Sequence, residues 1–531
     1  MTTNSNDPAT PAGYDPAVGS VRQVAVIDIG TASIRMAVAE IRERDVVRPL
    51  ETLTQAVDLG KDAFTRGVIS KSTIEECVGV LSSYRQILEG YGIVEADRIR
   101  VVATSAVREA RNRLAFVDRI YSATGFEVEP IDEAEVNRIT YMSIQHLLKA
   151  DPDLAEATSI IAEVGGGSTE VLLVEGADVI HAHSYRLGSL RLRELLEEFR
   201  APMQNRRNIM AGQIDRTVRQ VVEHVPQDRE LQLIALGSDV RFAAAQLNLQ
   251  WNRDTIARVS IDEFAAFTDR IGTLSEDELV QRYHLTYPDA ETFFPALLAY
   301  LRLARALKLK DVLVANVNLR DGLLKEMAAE GAWTDEFRNQ IVHSAIDLGR
   351  KFEFDEEHAR RVAELCLKIF HELQDVHRLE PRYELILYLA GLLHEIGHFV
   401  SNVAHHKHSM YLISNSELFG LTRRDTLLVA LVARYHRRAA PRPTHQGYAS
   451  LDRDLRVAVS KMAAILRVVD AIDRSHSGRI QEIELTRQGR RLTINVPNVE
   501  DVSLEQLALE EKGTLFEDIF GMEVLLRAGG S

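Results

Sequence analysis

Cysteine is nearly absent: Cys77 and Cys366 are the only two in 531 residues. That excludes a disulfide framework and fits a chain that works in the reducing cytoplasm. Long apolar runs are absent too. None approaches the roughly 18 residues that a membrane-crossing helix requires. Positive charge is in deficit, with 63 Lys and Arg against 78 Asp and Glu and a net charge of −15. This argues against broad nucleic-acid binding, and any polyanionic substrate must sit in a locally basic groove. Residues 1–21 are polar, with no apolar core. They read as a disordered tail rather than a signal or transit peptide. What remains, 46% hydrophobic and 27% charged, describes a globular protein long enough for three or four domains.

The densest chemistry lies at Ile160 to Val174, I-I-A-E-V-G-G-G-S-T-E-V-L-L-V. Two β-prone runs flank Gly165, Gly166 and Gly167, the hydroxyls of Ser168 and Thr169, and the acids Glu163 and Glu170. Glycine lets a backbone approach a ligand without a Cβ in the way. Successive N–H groups with two hydroxyls make a nest for phosphate oxygens. The acids repel phosphate, so they suit a metal that bridges to it or a water being activated. A hairpin turn alone needs only one or two glycines.

Val24 to Val38 has the same order: apolar run, Asp28, Gly30-Thr31-Ala32-Ser33, apolar run. This weak internal repeat predicts two similar α/β lobes, each offering a phosphate loop from a β-hairpin across a cleft. Between them, a strand ending at Val102 leads to Thr104 and Ser105, which open a helix containing Arg108. Free N–H groups at a helix start favour anions, and arginine adds a bidentate phosphate donor. Glu230 to Leu236 running into Gly237-Ser238-Asp239, and Val312 to Val317 running into Arg320-Asp321-Gly322, repeat that pattern. Strands ending in small residues before helices place a site at the strand ends. Asp335 to Asp473 has almost wholly helical periodicity. Beyond it, 481–486, 491–496 and 522–527 read as strands and 502–520 as helix. The expected division is a first lobe at 22–135, a second at 136–330, a helical domain at 331–477 and a small α+β appendix at 478–531.

These motifs, in this order, resemble the exopolyphosphatase and guanosine pentaphosphate phosphohydrolase family. The blocks that carry the likeness are D-I-G-T-A-S, A-T-S-A-V-R-E-A-R-N, E-V-G-G-G-S-T-E, L-G-S at Leu187 to Ser189 and L-R-D-G-L-L at Leu319 to Leu324. The helical part resembles a histidine-aspartate phosphohydrolase-like domain through A-G-L-L-H-E-I-G-H, H-H-K-H-S-M-Y-L-I, R-Y-H-R-R and L-R-V-V-D-A-I-D-R-S-H. The resemblance implies two actin-like lobes of the ribonuclease H and sugar-kinase superfold around a cleft. It implies hydrolysis of a terminal phosphoanhydride of inorganic polyphosphate or pppGpp, with Mg²⁺, in a homodimer. Residue by residue, it implies phosphate loops at Gly30, Thr31 and Ser33, at Thr104, Ser105 and Arg108, and at Gly165 to Thr169. The metal-facing acids would be Asp28, Glu163 and Glu170.

Several positions depart from the family pattern. Glu163 stands where the family has aspartate, and Ala32 where it has an amide. The second acid of the family's glutamate pair, its proposed base, aligns with Val136. Hydrolysis still needs a group to orient or deprotonate water. Glu135, Glu133 or Glu170 is expected to serve, with Arg108, unless the protein is a weakened sensor or a phosphotransferase to ADP. In the helical part the His-Asp pair is His394-Glu395, and His358, His436 and Asp470 complete a candidate ligand set. His406, Lys407, His408, Arg437 and Arg438 concentrate positive charge and are expected to line a track for a polyphosphate chain.

Overall fold

The computed structural model describes residues 21–529, except 43–45, 177, 199–202, 227–228, 249–250, 253–254, 330–334, 438, 475, 477 and 498. The tail reading, Arg438 and the 330/331 boundary therefore lie outside the described residues.

The internal repeat is structural. In the first sheet β1 (Arg22–Ile29), β2 (Ser33–Arg42) and β3 (Val46–Ala56) form an antiparallel meander, and β4 (Ile99–Ala103) and β5 (Val128–Pro130) extend it in parallel, in order β3-β2-β1-β4-β5. The second sheet repeats this with β6 (Thr158–Val164), β7 (Thr169–Glu175) and β8 (Asp178–Tyr185), then β9 (Leu231–Leu236) parallel to β6. The remaining strands, β10 (Ala257–Ser260) and β11 (Asp311–Val314), complete the order β10-β11-β9-β6-β7-β8. Even the register irregularity recurs, at Val38/Ala39 in one lobe and Leu173/Val174 in the other. Strands covered on both faces become continuously apolar, which is why β1 reads V-A-V-I-D-I and β6 reads I-I-A-E-V, each interrupted only by its acid.

The helices that shape the cleft start at strand ends: α1 (Ser105–Glu109), α2 (Glu133–Ala150), α3 (Ser238–Leu247) and α4 (Leu319–Ala328). The expected 135/136 boundary falls in the first turn of α2, which belongs to neither sheet alone. Val136 and Ile139 pack under the first sheet, whereas Tyr141, Ile144 and Leu148 pack with the second. Helix α4 returns from the second lobe to join α2 beneath β1, through Leu319, Leu323 and Leu324.

The helical region comprises α5 (Asp335–Lys351), α6 (Glu356–Glu372), α7 (Arg382–Leu393), α8 (His405–Ser414), α9 (Arg423–Arg434) and α10 (Arg453–Ile472). Its core is continuous with one face of the second sheet, where Ile161 and Leu172 join Phe337 and Ile341 of α5 in one cluster. The appendix holds β12 (Glu484–Gln488), β13 (Arg491–Val496), α11 (Ser503–Lys512), α12 (Thr514–Phe520) and β14 (Glu523–Ala528). Its first strand begins three residues later than the sequence suggests, and the expected long helix is split at Gly513.

The α2–α4 crossing is close. A Cβ added at Gly322 would lie 2.3 Å from the Ile139 carbonyl oxygen. Gly322→Ala should therefore cost roughly 1–3 kcal/mol through forced backbone shifts. Urea unfolding would show this as a lowered midpoint, and an unchanged midpoint would refute it.

Candidate active site

The two hairpin turns are built alike. In the first lobe Gly30 N donates to Ser33 O at 2.9 Å, and in the second Gly165 N donates to Ser168 O at 2.9 Å. Asp28 sits across β1–β2 from Arg35, and Glu163 sits across β6–β7 from Glu170. The two turns touch. A Cβ at Gly166 would lie 3.0 Å from Thr31, and one at Gly167 only 2.3 Å from Ser105 Oγ. Within the first lobe, Thr31 Oγ1 and Ser105 Oγ stand 3.3 Å apart. Glycine is needed here because two lobes and the start of α1 meet at backbone distance. Thr104, the residue before α1, makes no side-chain capping bond, so its hydroxyl remains available to a ligand.

A cleft of about 150 Å³ opens between the turns. The first loop reaches it through Asp28, Gly30, Thr31 and Ser33, and the helix start through Thr104, Ser105 and Arg108. The second loop contributes Glu163, Gly165, Gly166, Gly167, Ser168 and Glu170. Thr169 does not join them. Neighbouring residues on a strand face opposite ways, and its hydroxyl donates to the Leu187 carbonyl at 2.5 Å. Arg108 reaches the cleft edge with Nη1 donating to Ile131 O at 3.0 Å.

Glu135 does not reach the cleft, and Val136 lines it instead. Asp132 caps α2 by accepting from Glu135 N, which fixes the helix phase. One residue on, a helix has turned by about 100°. The Glu135 carboxylate therefore points to Arg100 Nη2 at 3.0 Å and Arg138 Nη2 at 3.5 Å, in a network shared with Glu326 of α4. Burial outweighs these arginines and lifts its carboxyl to about 7. Its place is the α2–β4–α4 junction. The basic segment of α8 also lies away from the cleft: His406, Lys407, His408 and Arg437 do not line it. Burial, then the charge of Arg437, lowers the half-buried His406 to about 4, so its ring adds no positive charge at neutral pH.

Four arginines stand among the cleft's five acids: Arg35, Arg108, Arg241 and Arg320. Arg320 Nη1 lies 3.3 Å from Asp28 Oδ2, and Arg241 Nη1 donates to Val317 O at 2.7 Å. Burial raises Glu170 to about 7, reinforced by the charge of Glu163 and opposed by the Ser168 hydroxyl at 2.6 Å and by Arg108. Burial likewise raises Glu163, with Asp28 adding to it and Arg241 opposing. Asp239 is lifted to about 7 by burial and by Asp289. Sequence reasoning passed over Arg35, Arg241 and Tyr300. S-A-V-R at Ser105 and S-D-V-R at Ser238 were a usable signal for Arg241. Tyr300 accepts from Val164 N at 2.7 Å and donates to Leu236 O, tying β6 to β9 beneath the turns. Gly237 sits above it with φ of +115°, a conformation that glycine alone takes without strain.

A model of the Ppx/GppA phosphatase family matches residues 37–330, and one of domain III of that phosphatase matches 342–513. The chain belongs to the Ppx/GppA phosphatase family. It is 24% identical over 457 residues to a guanosine-5'-triphosphate,3'-diphosphate pyrophosphatase of Photobacterium profundum, covering 82% of this chain and 86% of that protein. It is 24% identical over 485 residues to the protein of the same name from Vibrio vulnificus, covering 89% and 91%. Its fold is similar to a crystal structure of an exopolyphosphatase from Cytophaga hutchinsonii, at a TM-score of 0.53 and 21% identity, covering 58% of this chain and 98% of that one.

The family match begins inside β2, so Asp28 and the Gly30–Ser33 turn enter the site through the fold. In this chain the contact of the two turns sets the shape of the cleft. Gly167→Ala should wedge Ser105 and Phe64 away and lower phosphatase kcat/KM about tenfold or more. Gly212→Ala, on an exposed helix position with nothing within 4 Å, is the control. Equal activities in a steady-state phosphate-release assay would refute the wedge.

Proposed function

We propose that this protein hydrolyses the terminal phosphoanhydride of pppGpp or inorganic polyphosphate, releasing orthophosphate. One observation carries this reading: two glycine turns, each with an acid behind it, converge with four arginines on one small cleft. Water attacks the terminal phosphorus, the bond to the bridging oxygen breaks, and the proton of the water passes to a carboxylate. Glu170 is our choice for that carboxylate, because it faces the cleft and its value of about 7 suits a base at neutral pH. The N–H groups of the turns and the hydroxyls of Thr31, Ser105 and Ser168 hold the phosphate. Arg108 and Arg241 offset the charge that develops on its oxygens.

A divalent cation fits the same floor. Asp28 Oδ1 is buried without a hydrogen-bond partner, and Asp28, Glu163 and Glu170 supply only hard oxygen donors. We assign Asp28 and Glu163 to Mg²⁺, which would neutralise phosphate oxygens when bound, and leave Glu170 to take the proton. Both cysteines are buried and free, and no described helix is long and apolar enough to cross a membrane. A cytoplasmic homodimer is our reading of where and how the protein works.

Val136 at the cleft wall favours a second reading, a binding protein for the same anions with slow turnover. Orthophosphate release with Mg²⁺ from pppGpp, long-chain polyphosphate and ATP, assayed separately, divides the two. Tight binding without release would sink the hydrolase. For the hydrolase, kcat/KM should fall as pH drops below about 7, since the base must be ionised, with any bound cation moving that limb to lower pH. Glu170→Gln should lose roughly 10²–10⁴-fold in kcat and flatten the acidic limb. Glu135→Gln should keep the profile, and the reverse pattern would return the base to α2.

A further inference from the structure

A second cavity, of about 480 Å³, adjoins the phosphate cleft across the start of α2. Val136 lines the cleft, whereas Glu133 and Asn137 line the cavity. Its other walls are β8, through Ala182 and Ser184, and the link between α8 and α9, through Glu417 and Leu418. Among the described residues none lines both spaces. Small ligands find pockets of this size at junctions between domains, and the reaction assigned to the cleft makes no use of this one.

Two polar groups of the wall are unspent. Asn137 is only 4% exposed, and its Oδ1 is buried with no hydrogen-bond partner. His181 Nε2 is buried and has none either. The His181 ring stacks on His224 at 4.4 Å between centres. Burial, then the neighbouring His224, lowers it to about 4, so at neutral pH the ring is uncharged and one of its nitrogens accepts. Buried acceptors left without a donor cost free energy that a ligand carrying N–H groups recovers.

The charge of the walls says which ligand. Along β8 the cavity continues into a groove of about 590 Å³, and His181, Ser344 and Glu417 line both. Glu133 and Glu417 line the cavity, and Glu223 and Asp347 line the groove. Arg423 and Lys351 are the only Lys or Arg on either wall among the described residues. Arg423 is already paired, with Nη2 3.3 Å from Glu133 Oε2. Glu417 Oε1 lies 2.7 Å from His183 Nδ1. Four carboxylates against two cations repel phosphate and its esters and favour a positively charged donor. Between the polar groups, Val179, Ala182, Leu418 and Leu421 supply apolar wall that suits methylene groups.

We propose that this groove binds an aliphatic di- or polyamine, with one ammonium group donating to Asn137 Oδ1 and another held by Glu417. Charge-assisted hydrogen bonds to carboxylates are the strong kind, and the acceptor at Asn137 distinguishes the site from a loose acidic surface. Its occupant touches the rest of the protein at two points. Ser184 of the cavity wall donates to Glu170 Oε1 at 3.4 Å, and Glu133 Oε1 lies 3.8 Å from Arg108 Nη2. Ser344 of α5 and Glu417 belong to the helical region, so a bound amine bridges that region to the second lobe.

The test needs no turnover and so stands apart from the reaction assigned to the cleft. The full chain is titrated calorimetrically with 1,4-diaminobutane and with spermidine at constant ionic strength, and its unfolding temperature is followed alongside. Saturable uptake of about one amine per chain and a raised unfolding temperature are expected. Asn137→Leu, which removes the unpaired amide, and the exposed Glu417→Gln should each weaken binding at least about fivefold, with circular dichroism confirming their fold. Glu276→Gln, an exposed acid on neither wall, should bind as the wild type does. A folded wild-type chain with no saturable heat and no shift in unfolding temperature would overturn the proposal. Equal loss in all three variants, or equal displacement by MgCl₂ at matched ionic strength, would reduce it to general counter-ion attraction and overturn it too. Guanosine binding that Asn137→Leu abolishes, with no amine binding, would assign the cavity to a neutral heterocycle instead.

Discussion

The backbone contact between the two hairpin turns is the constraint from which the rest of the phosphatase unit follows. Gly166 lies against Thr31 and Gly167 against Ser105 at distances that leave no room for a side chain. Each turn is closed by a hydrogen bond from its first glycine N to its last serine O. Joining the turns brings the two strand-end acids, Asp28 and Glu163, to one floor. It also brings the starts of α1 and α3, with Arg108 and Arg241, to one rim.

That convergence creates an electrostatic problem, which the cleft solves with arginine. Glu163 and Glu170 face each other across adjacent strands, a like-charge pair that opposes sheet formation in isolation. Burial and mutual repulsion lift Glu170 to about 7, while Arg108, Arg241 and Arg320 stand close enough to oppose the shift of one or the other acid. An anionic substrate and a cation would add to a floor already carrying both signs. The first lobe places Arg35 where the second has Glu170, so the repeat is symmetric in backbone and opposite in charge. A chain of net charge −15 thus sets four arginines among the acids of one cleft.

The helical region is anchored to this unit through a shared core and a polar contact. Phe337 and Ile341 join the apolar face of the second sheet. Arg423 N at the start of α9 donates to Asp132 Oδ2 at 2.7 Å, so the residue that caps α2 also ties down the helical region. Asp132 therefore links the helix phase that sends Val136 into the cleft and Glu135 out of it to the position of the helices beyond.

By itself the sequence determined the local devices. Glycine turns between apolar runs, serine-opened helices with an arginine one turn in, and the switch from period two to period 3.6 are properties of neighbouring residues, and all are legible in the chain. The weak repeat also foretold two facing lobes. Only the tertiary structure decided which face each side chain presents. Thr169 turns from the cleft because strands alternate, and Glu135 yields its place to Val136 because one helical residue rotates by about 100°. Arg35, Arg241 and Tyr300 acquire meaning only when segments hundreds of residues apart are brought together.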